Sequence, residues 1–416
     1  MQVCIIGGGV IGVTTAWQLA LRGARVSLVE ACGQVAALTS HANGGQLSYS
    51  YVAPLAEPGV LPRLPAWLLR RDSPLRFRPR LDPLQWRWGL AFLRACTTRQ
   101  AAASTAQVLG LAALSRATLQ AWMQAVALDF HHAGNGKLIV YRHPGPLDKA
   151  RAQVRLQAEL GGARQAVLSA DACVALEPAL KAVAGDLAGG LHTPSEESGD
   201  CRLFTQRLFE HWAARSGQSA WLGSRALGFR REGRRVRALR LDDGREIEAD
   251  QFVVAGGLGS RALLGTLGYA PLLYGLKGYS LTVQDAADCA PAISVTDYER
   301  RTVYVRLGDA LRVSAMVGMG LDGLAPEPDR IAQVRREAGE FLPQADFGRA
   351  QAWAGQRPAT PHGRPLIGRC PGTDNVWLNT GHGALGFTLA CGSASLLDGL
   401  MAGERPALDP APFAPH

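Results

Sequence analysis

An α/β fold, α+β over the whole chain, is what the sequence predicts, and three observations predict it. An apolar run, Val3-Cys4-Ile5-Ile6, leads into a glycine loop, a helical stretch and a second apolar strand, a β-α-β unit of about thirty residues. Far downstream a second buried strand, Phe252-Val253-Val254, again ends in glycines, Gly256 and Gly257. Other stretches alternate apolar and polar residues between turn signals, as antiparallel strands do. Together these predict a Rossmann-type domain with an inserted domain built on a mostly antiparallel sheet. The expected division is discontinuous: residues 1–50, 165–270 and 362–416 in the first domain, and 51–164 and 271–361 in the second.

The elements follow in order. Residues 2–6 read as a strand, Val13 to Arg22 as a helix ended by Gly23, and Arg25 to Glu30 as the second strand. Residues 31–50 are loop-like. Prolines break 61–100 into short helices. Residues 101–127 are alanine-rich with helical spacing, Lys137 to Tyr141 reads as a strand, and 146–160 and Leu203 to Ser216 as helices. A meander follows, Leu227 to Arg231, Val236 to Leu241 and Glu246 to Glu248, with turns at Arg231-Glu232-Gly233 and Asp242-Asp243-Gly244. Residues 278–320 favour strands, notably Thr302 to Arg306 and Arg312 to Val317. A helix is expected over 329–341, a strand over Val376 to Asn379, and a last helix from Thr388 to Leu400.

With 416 residues, 47% of them hydrophobic and 19% charged, the chain has material for a large core. No run of eighteen uncharged apolar residues suggests a spanning helix. The N-terminus reads as a strand rather than a signal peptide. Eight scattered cysteines form no CxxC pair and no Cys/His cluster, so reduced thiols, a cytoplasmic setting and no metal are expected. The net charge of +9 is uneven: residues 61–100 hold nine arginines, Arg63, Arg70, Arg71, Arg76, Arg78, Arg80, Arg87, Arg94 and Arg99, against Asp72 and Asp82. Trp67, Trp86 and Trp88 are interleaved with them. No nucleic-acid motif accompanies this charge, so nucleic-acid binding is not expected. The open readings are a solvated surface and a peripheral contact with the inner face of the cytoplasmic membrane.

Gly7-Gly8-Gly9-Val10-Ile11-Gly12 fits G-x-G-x-x-G in its required place, after a strand and opening a helix. Gly7 permits the turn, Gly9 the approach of a pyrophosphate, and Gly12 close packing of helix on strand. The helix N-terminus supplies amides for the phosphates. Glu30, eighteen residues after Gly12, suits a ribose diol. Two features favour FAD over NAD. One is the returning Val253-to-Gly257 segment. The other is Thr380-Gly381-His382-Gly383-Ala384-Leu385-Gly386-Phe387-Thr388, whose amides could meet the flavin's pyrimidine carbonyl, where negative charge develops on reduction.

Several segments spanning the chain carry a resemblance: Ile5 to Glu30, Ser40 to Gln46 with Tyr51-Val52-Ala53-Pro54, Ser198-Gly199-Asp200-Cys201, Leu276 to Leu281, Trp353 to Pro361, and Leu378 to Gly392. The chain resembles the D-amino acid dehydrogenase small-subunit family, within the wider glycine oxidase and D-amino acid oxidase group. The resemblance implies non-covalent FAD, oxidative deamination of D-amino acids to 2-oxo acids, and delivery of electrons to a quinone-like acceptor. It implies a cofactor set of Gly7, Gly9, Val10, Ile11, Gly12, Glu30 and Ala31, then Ser40, His41, Asn43, Gly44, Gly45, Gln46 and Leu47. To these it adds Arg225, Ala255 and Gly256, and Gly381, His382, Gly383, Ala384, Leu385, Gly386 and Thr388. Two features depart from the pattern: His41 stands where a small or aliphatic residue is expected, and the segment before the first helical bundle is unusually arginine-rich.

An amino acid zwitterion needs a cation for its carboxylate. In the wider group the arginine of the motif that here reads Trp353 to Pro361, Arg357, makes a bidentate pair with it, a geometry a guanidinium fork suits. A structural arginine is the alternative. Tyr279 and Tyr304 are candidate hydroxyl contacts in the substrate domain, or else sheet aromatics. His382, between two glycines, fits a residue whose backbone meets the flavin better than a catalytic base. Lys277 reads as structural rather than as an oxygen-activating lysine. The reaction expected is hydride transfer from Cα to flavin N5, with no general base required. Alternatives are a dehydrogenase of D-hydroxyproline, D-proline or another cyclic imino acid, a glycine- or sarcosine-type oxidase using dioxygen, and an electron-transfer or assembly subunit.

Overall fold

The computed structural model describes the chain apart from residues 51, 53, 64–72 and 160–163 and the side chains of Arg63, Gln153 and 156–159. The readings on Tyr51, Ala53, Trp67, Arg70, Arg71 and Asp72, and on the side chain of Arg63, fall outside the described residues.

The β-α-β unit forms as the pattern requires. Strand β1 (Gln2–Ile6) is buried beyond its first residue, α1 (Val10–Leu21) starts at the glycine loop, and β2 (Arg25–Glu30) pairs parallel with β1. The chain later returns: β9 (Ser219–Leu222) adds beside β2, and β13 (Gln251–Val254) pairs parallel with β1 on its other side. Strand β20 (Val376–Thr380) pairs parallel with β13, and β19 (Leu366–Arg369) closes that edge antiparallel. The six-stranded order is β19-β20-β13-β1-β2-β9. A meander of β10 (Ala226–Glu232), β11 (Arg235–Leu241) and β12 (Glu246–Glu248) covers one face. Helix α1 and the C-terminal helix α9 (Gly386–Met401) cover the other.

The second sheet runs β18-β14-β17-β16-β15-β5-β7-β6, with β4 (Leu75–Phe77) alongside β17. Its long central strands are β14 (Tyr274–Val283), β16 (Thr302–Leu307), β17 (Ala310–Met319) and β18 (Gln351–Ala359), antiparallel to one another where they pair. The far part comprises β5 (Lys137–Tyr141), β6 (Ala166–Leu168), β7 (Gly189–Thr193) and β15 (Ser294–Asp297). Only β15–β5 and β17–β4 are parallel. One face packs on α8 (Pro328–Phe341) in an apolar core holding Tyr279, Leu281, Val313 and Phe341.

Two of the expected boundaries move. Residues 166–193, assigned to the first domain, supply β6 and β7 to the antiparallel sheet, because β7 pairs with β5 from Lys137↔Thr193 to Tyr141↔Gly189. The helix expected near 101–127 is α3 (Thr98–Ala125), which follows α2 (Pro83–Ala95). Its Val108, Leu111, Ala112, Leu119 and Trp122 are buried in one core with α1 and α9, so it belongs with the first domain rather than the second. By length and composition residues Gly383–Met401 could cross a membrane. Here they include α9, whose residues from Phe387 to Asp398 are buried almost without break.

Within the arginine-rich segment, Arg76 pairs with Asp329 and Arg80 with Asp322. Trp88 is buried, its indole N–H donating to the Ala359 carbonyl at 2.9 Å. Part of that segment is therefore structural. On α2 the opposite side leaves Trp86, Leu90 and Leu93 exposed.

Candidate functional site

A cavity of about 600 Å³ opens at the carboxyl ends of β1, β2 and β13, where open α/β sheets place their ligands. Glycine shapes its floor. Gly7 has φ +117°, and a Cβ on Gly12 would collide with the Gly7 carbonyl, so the first turn of α1 can lie flat on the loop. Glu30 ends β2 with its carboxylate accepting from the Gly8 and Cys32 amides at 2.6 and 2.7 Å. Ser40 Oγ accepts from the Val10 amide at 3.0 Å. Neither α1 nor α9 has a side-chain cap at its N-terminus, and both ends line the same cavity, through Gly9 and Gly386. Two helix N-termini converging on one cavity suit two groups that carry negative charge.

Of the residues expected at the cofactor, Gly7, Gly9, Val10, Ile11, Glu30, Ala31, Ser40, Arg225, Ala255, Gly256, Gly381, His382, Gly383 and Gly386 line this cavity. Gly12 lies behind it as a packing residue. His41, Asn43, Gly44, Gly45, Gln46 and Leu47 do not line it. They run between the two sheets: Gly44 faces Ser314, Gly45 faces Leu307 and Val305, and the Gln46 amide donates to Thr296 Oγ1 at 3.1 Å. Leu47 is core. Ala384 and Leu385 are not in the lining, and Thr388 Oγ1 accepts from the Ser48 amide at 3.2 Å. Sequence reasoning passed over Thr39, Ser224, Leu258, Leu324, Gln356 and Pro358, all in the lining. Gln356 and Pro358 flank Arg357 in its motif, which was the available signal.

Arg357 lies on the sheet face that the Ser40-to-Leu47 loop covers. It pairs with Leu276 across β14 and β18, and its guanidinium lies over Gly278, where any Cβ would strike it. Its Nη1 donates to the Met316 carbonyl at 3.1 Å. That carbonyl is presented by a bulge: Met316 and Val317 together oppose Gly278, and Met316 has φ +66°. Among the described residues no carboxylate pairs with Arg357. Burial lowers its pKa with no acidic neighbour offsetting it, whereas Asp200 offsets the same effect at buried Arg312. Even for a half-buried cation, lost hydration without a counter-ion is costly unless an anion completes it.

The two tyrosines are corrections. Side chains alternate along a strand, so Tyr279 cannot share a face with Gly278. It points into the far core, its hydroxyl donating to Glu327 at 2.6 Å. Tyr304 is fully buried and stacked on Phe341 at 4.3 Å, its hydroxyl without a partner among the described residues. Both are sheet aromatics. Lys277, also on the far face, donates to the Ala325 carbonyl at 2.7 Å and to Glu327 at 3.0 Å, tying down the loop that carries Leu324 to the cavity. His382 is buried, bonded to Ser393 Oγ at 2.9 Å, and burial holds its pKa down at about 3, so it stays neutral.

The comparisons fit this geometry. The family model described as "FAD dependent oxidoreductase", DAO, matches residues 2–400. The chain is similar to "D-amino acid dehydrogenase 2" of Pseudomonas aeruginosa, 48% identical over 421 residues covering 100% of this chain and 98% of that protein. It is similar also to "D-amino acid dehydrogenase 2" of Ralstonia nicotianae, 46% identical over 425 residues covering 100% and 99%. Among solved structures, glycine oxidase from Geobacillus kaustophilus superposes with a TM-score of 0.77 at 20% identity, covering 99% of this chain and 97% of that one. L-proline dehydrogenase from P. horikoshii gives 0.75 at 14%, covering 100% and 96%.

Proposed function

The chain belongs to the DAO family of FAD-dependent oxidoreductases, and from that premise we propose that it oxidises D-amino acids to 2-oxo acids and passes the electrons to a quinone-like acceptor. The observation that carries the substrate class is Arg357, which among the described residues bonds the Met316 carbonyl and pairs with no carboxylate, facing the loop between the two domains. Its fork binds the substrate carboxylate in bidentate fashion and so fixes the α-carbon. The glycine loop, Glu30 and the N-terminal ends of α1 and α9 would hold the dinucleotide. FAD, when bound, supplies the two-electron acceptor for the Cα hydrogen. The protein's remaining work is to orient the substrate and exclude water. Neutral His382 is engaged with Ser393, so the chain offers no base there and the reading needs none.

The test is an Arg357→Met enzyme that retains flavin. The loss of two charge-assisted bonds is expected to lower kcat/KM on D-amino acids by about 10²- to 10⁴-fold. Arg357→Lys recovers part of this, since it restores charge without the fork. Near-normal turnover in Arg357→Met would overturn the assignment. The acceptor is tested by comparing quinone reduction with peroxide release.

A peripheral membrane contact belongs to the same reading. It is supported by the exposed Leu81, Trp86, Leu90 and Leu93, interleaved with exposed Arg78, Arg87 and Arg94.

A further inference from the structure

One pair of residues on the face that bears Arg357 has no task in the reading above. Strand β18 carries Trp353 and Arg357 four residues apart, so both project from one face. Between them the floor is bare backbone: Gly355 on β18 pairs directly with Gly278 on β14. A Cβ on Gly278 would collide with the Arg357 guanidinium, and one on Gly355 with the far rim of the Trp353 indole. The cation and the ring therefore lie down on neighbouring floor positions, which in a directly paired site are about 4.5–5.5 Å apart. A carboxylate held by the fork has the indole beside whatever its α-carbon carries.

The indole is braced. The His41 ring stacks on it with centroids 6.0 Å apart and planes 27° apart. His41 is the residue at which the sequence departs from the family pattern. Burial lowers its pKa, Arg202 and Arg312 add to this, and Asp200 partly offsets them, so the ring is neutral at neutral pH. With Arg202, Arg312 and Arg357 near, the surroundings are cationic, which disfavours a second cation brought by a substrate.

We propose that Trp353 is the specificity-determining wall of the side-chain subsite, that His41 positions it, and that the subsite favours a flat uncharged ring on Cα. Stacked or edge-to-face rings gain more than their buried area alone provides, and the indole, lying on the floor at Gly355, offers such a partner to a flat substituent beside it. This rests on Arg357 holding the carboxylate.

The experiment measures two ratios on flavin-loaded enzyme: kcat/KM for D-phenylalanine over D-alanine, and the affinity for benzoate over acetate read from perturbation of the flavin absorbance. Trp353→Ala is expected to lower both about ten-fold, through KM rather than kcat. Trp353→Phe keeps most of both, and His41→Ala lowers both by less. If Trp353→Ala fails to hold flavin, the order wild type, Trp353→Phe, His41→Ala in both ratios decides the matter. Unchanged ratios in His41→Ala and in whichever Trp353 variant holds flavin overturn the subsite and leave the role of Arg357 standing. A wild-type enzyme that oxidises no D-amino acid overturns the proposed function instead, and the benzoate-to-acetate ratio then judges the subsite alone.

Discussion

Single side chains here divide into those whose chemistry is legible from their neighbours in sequence and those decided by which face they land on. Arg357 is the proposed case of the first kind, since its motif is what points to a carboxylate ligand. Tyr279 and Tyr304 are of the second. Both look like substrate contacts in a strand, and only the register, with Gly278 on the site face, sends Tyr279 to Glu327 and Tyr304 to Phe341. His382 yields a prediction at this scale. Burial holds its folded pKa at about 3, against about 6.5 when unfolded. Between those values the unfolded state binds the extra proton, so the His382 contribution is complete above pH 6.5 and lost as pH falls toward 3. It amounts to about 5 kcal/mol. His362, held down at about 4, acts in the same direction. Denaturant unfolding of His382→Gln between pH 4 and 7 should give a shallower rise of stability with pH than the wild type. Parallel curves would refute this.

Elements were legible where periodicity was strong and unreliable where assignment depended on partners. The β-α-β unit, the meander of β10 to β12 and α9 all lie where the pattern put them. Strands β6 and β7 read as part of the first domain because nothing local reveals that β7 pairs with β5. Helix α3 shows its apolar spacing but not that α9 covers it. Helix α2 shows the converse, an apolar face left exposed. Its buried side holds Gln85, Trp88 and Ala95, while Trp86, Leu90 and Leu93 face outward with Arg87 and Arg94. Each arginine near an anionic surface contributes about 1 kcal/mol. In flotation assays the protein should rise with vesicles containing anionic phospholipid and not with neutral ones, and high salt should release it. Leu90→Glu with Leu93→Glu should abolish flotation, and flotation that survives this change would assign the contact elsewhere.

At the scale of the whole molecule, the cavity proposed for the cofactor draws its lining from widely separated parts of the chain: the N-terminal loop, Ser224 to Leu227, Leu324 with Gln356 and Pro358, and the Gly381-to-Gly386 turn. Cofactor binding should therefore stabilise the molecule as a unit. FAD at a hundred times its Kd adds about 2.7 kcal/mol, enough to raise Tm of the stripped protein by several degrees. NAD at equal concentration should leave Tm unmoved, and a scan in which FAD has no effect would contradict the cavity's assignment. The fold was legible in the sequence because glycine spacing and strand period are local. The face that bears Arg357 was not, because β17 changes parity along its length. Before the bulge its even-numbered residues, Arg312 and Ser314, pair on the side of Thr282 and Ser280; after it the odd-numbered Met319 pairs with Leu276 on that side. Simple counting fails at Met316, and that failure has a use. In an unbroken ladder the residue opposite Gly278 would aim its side chain at the guanidinium. By adding one residue to the strand, the chain subtracts one side chain from the site, so an insertion in sequence acts as a deletion in space.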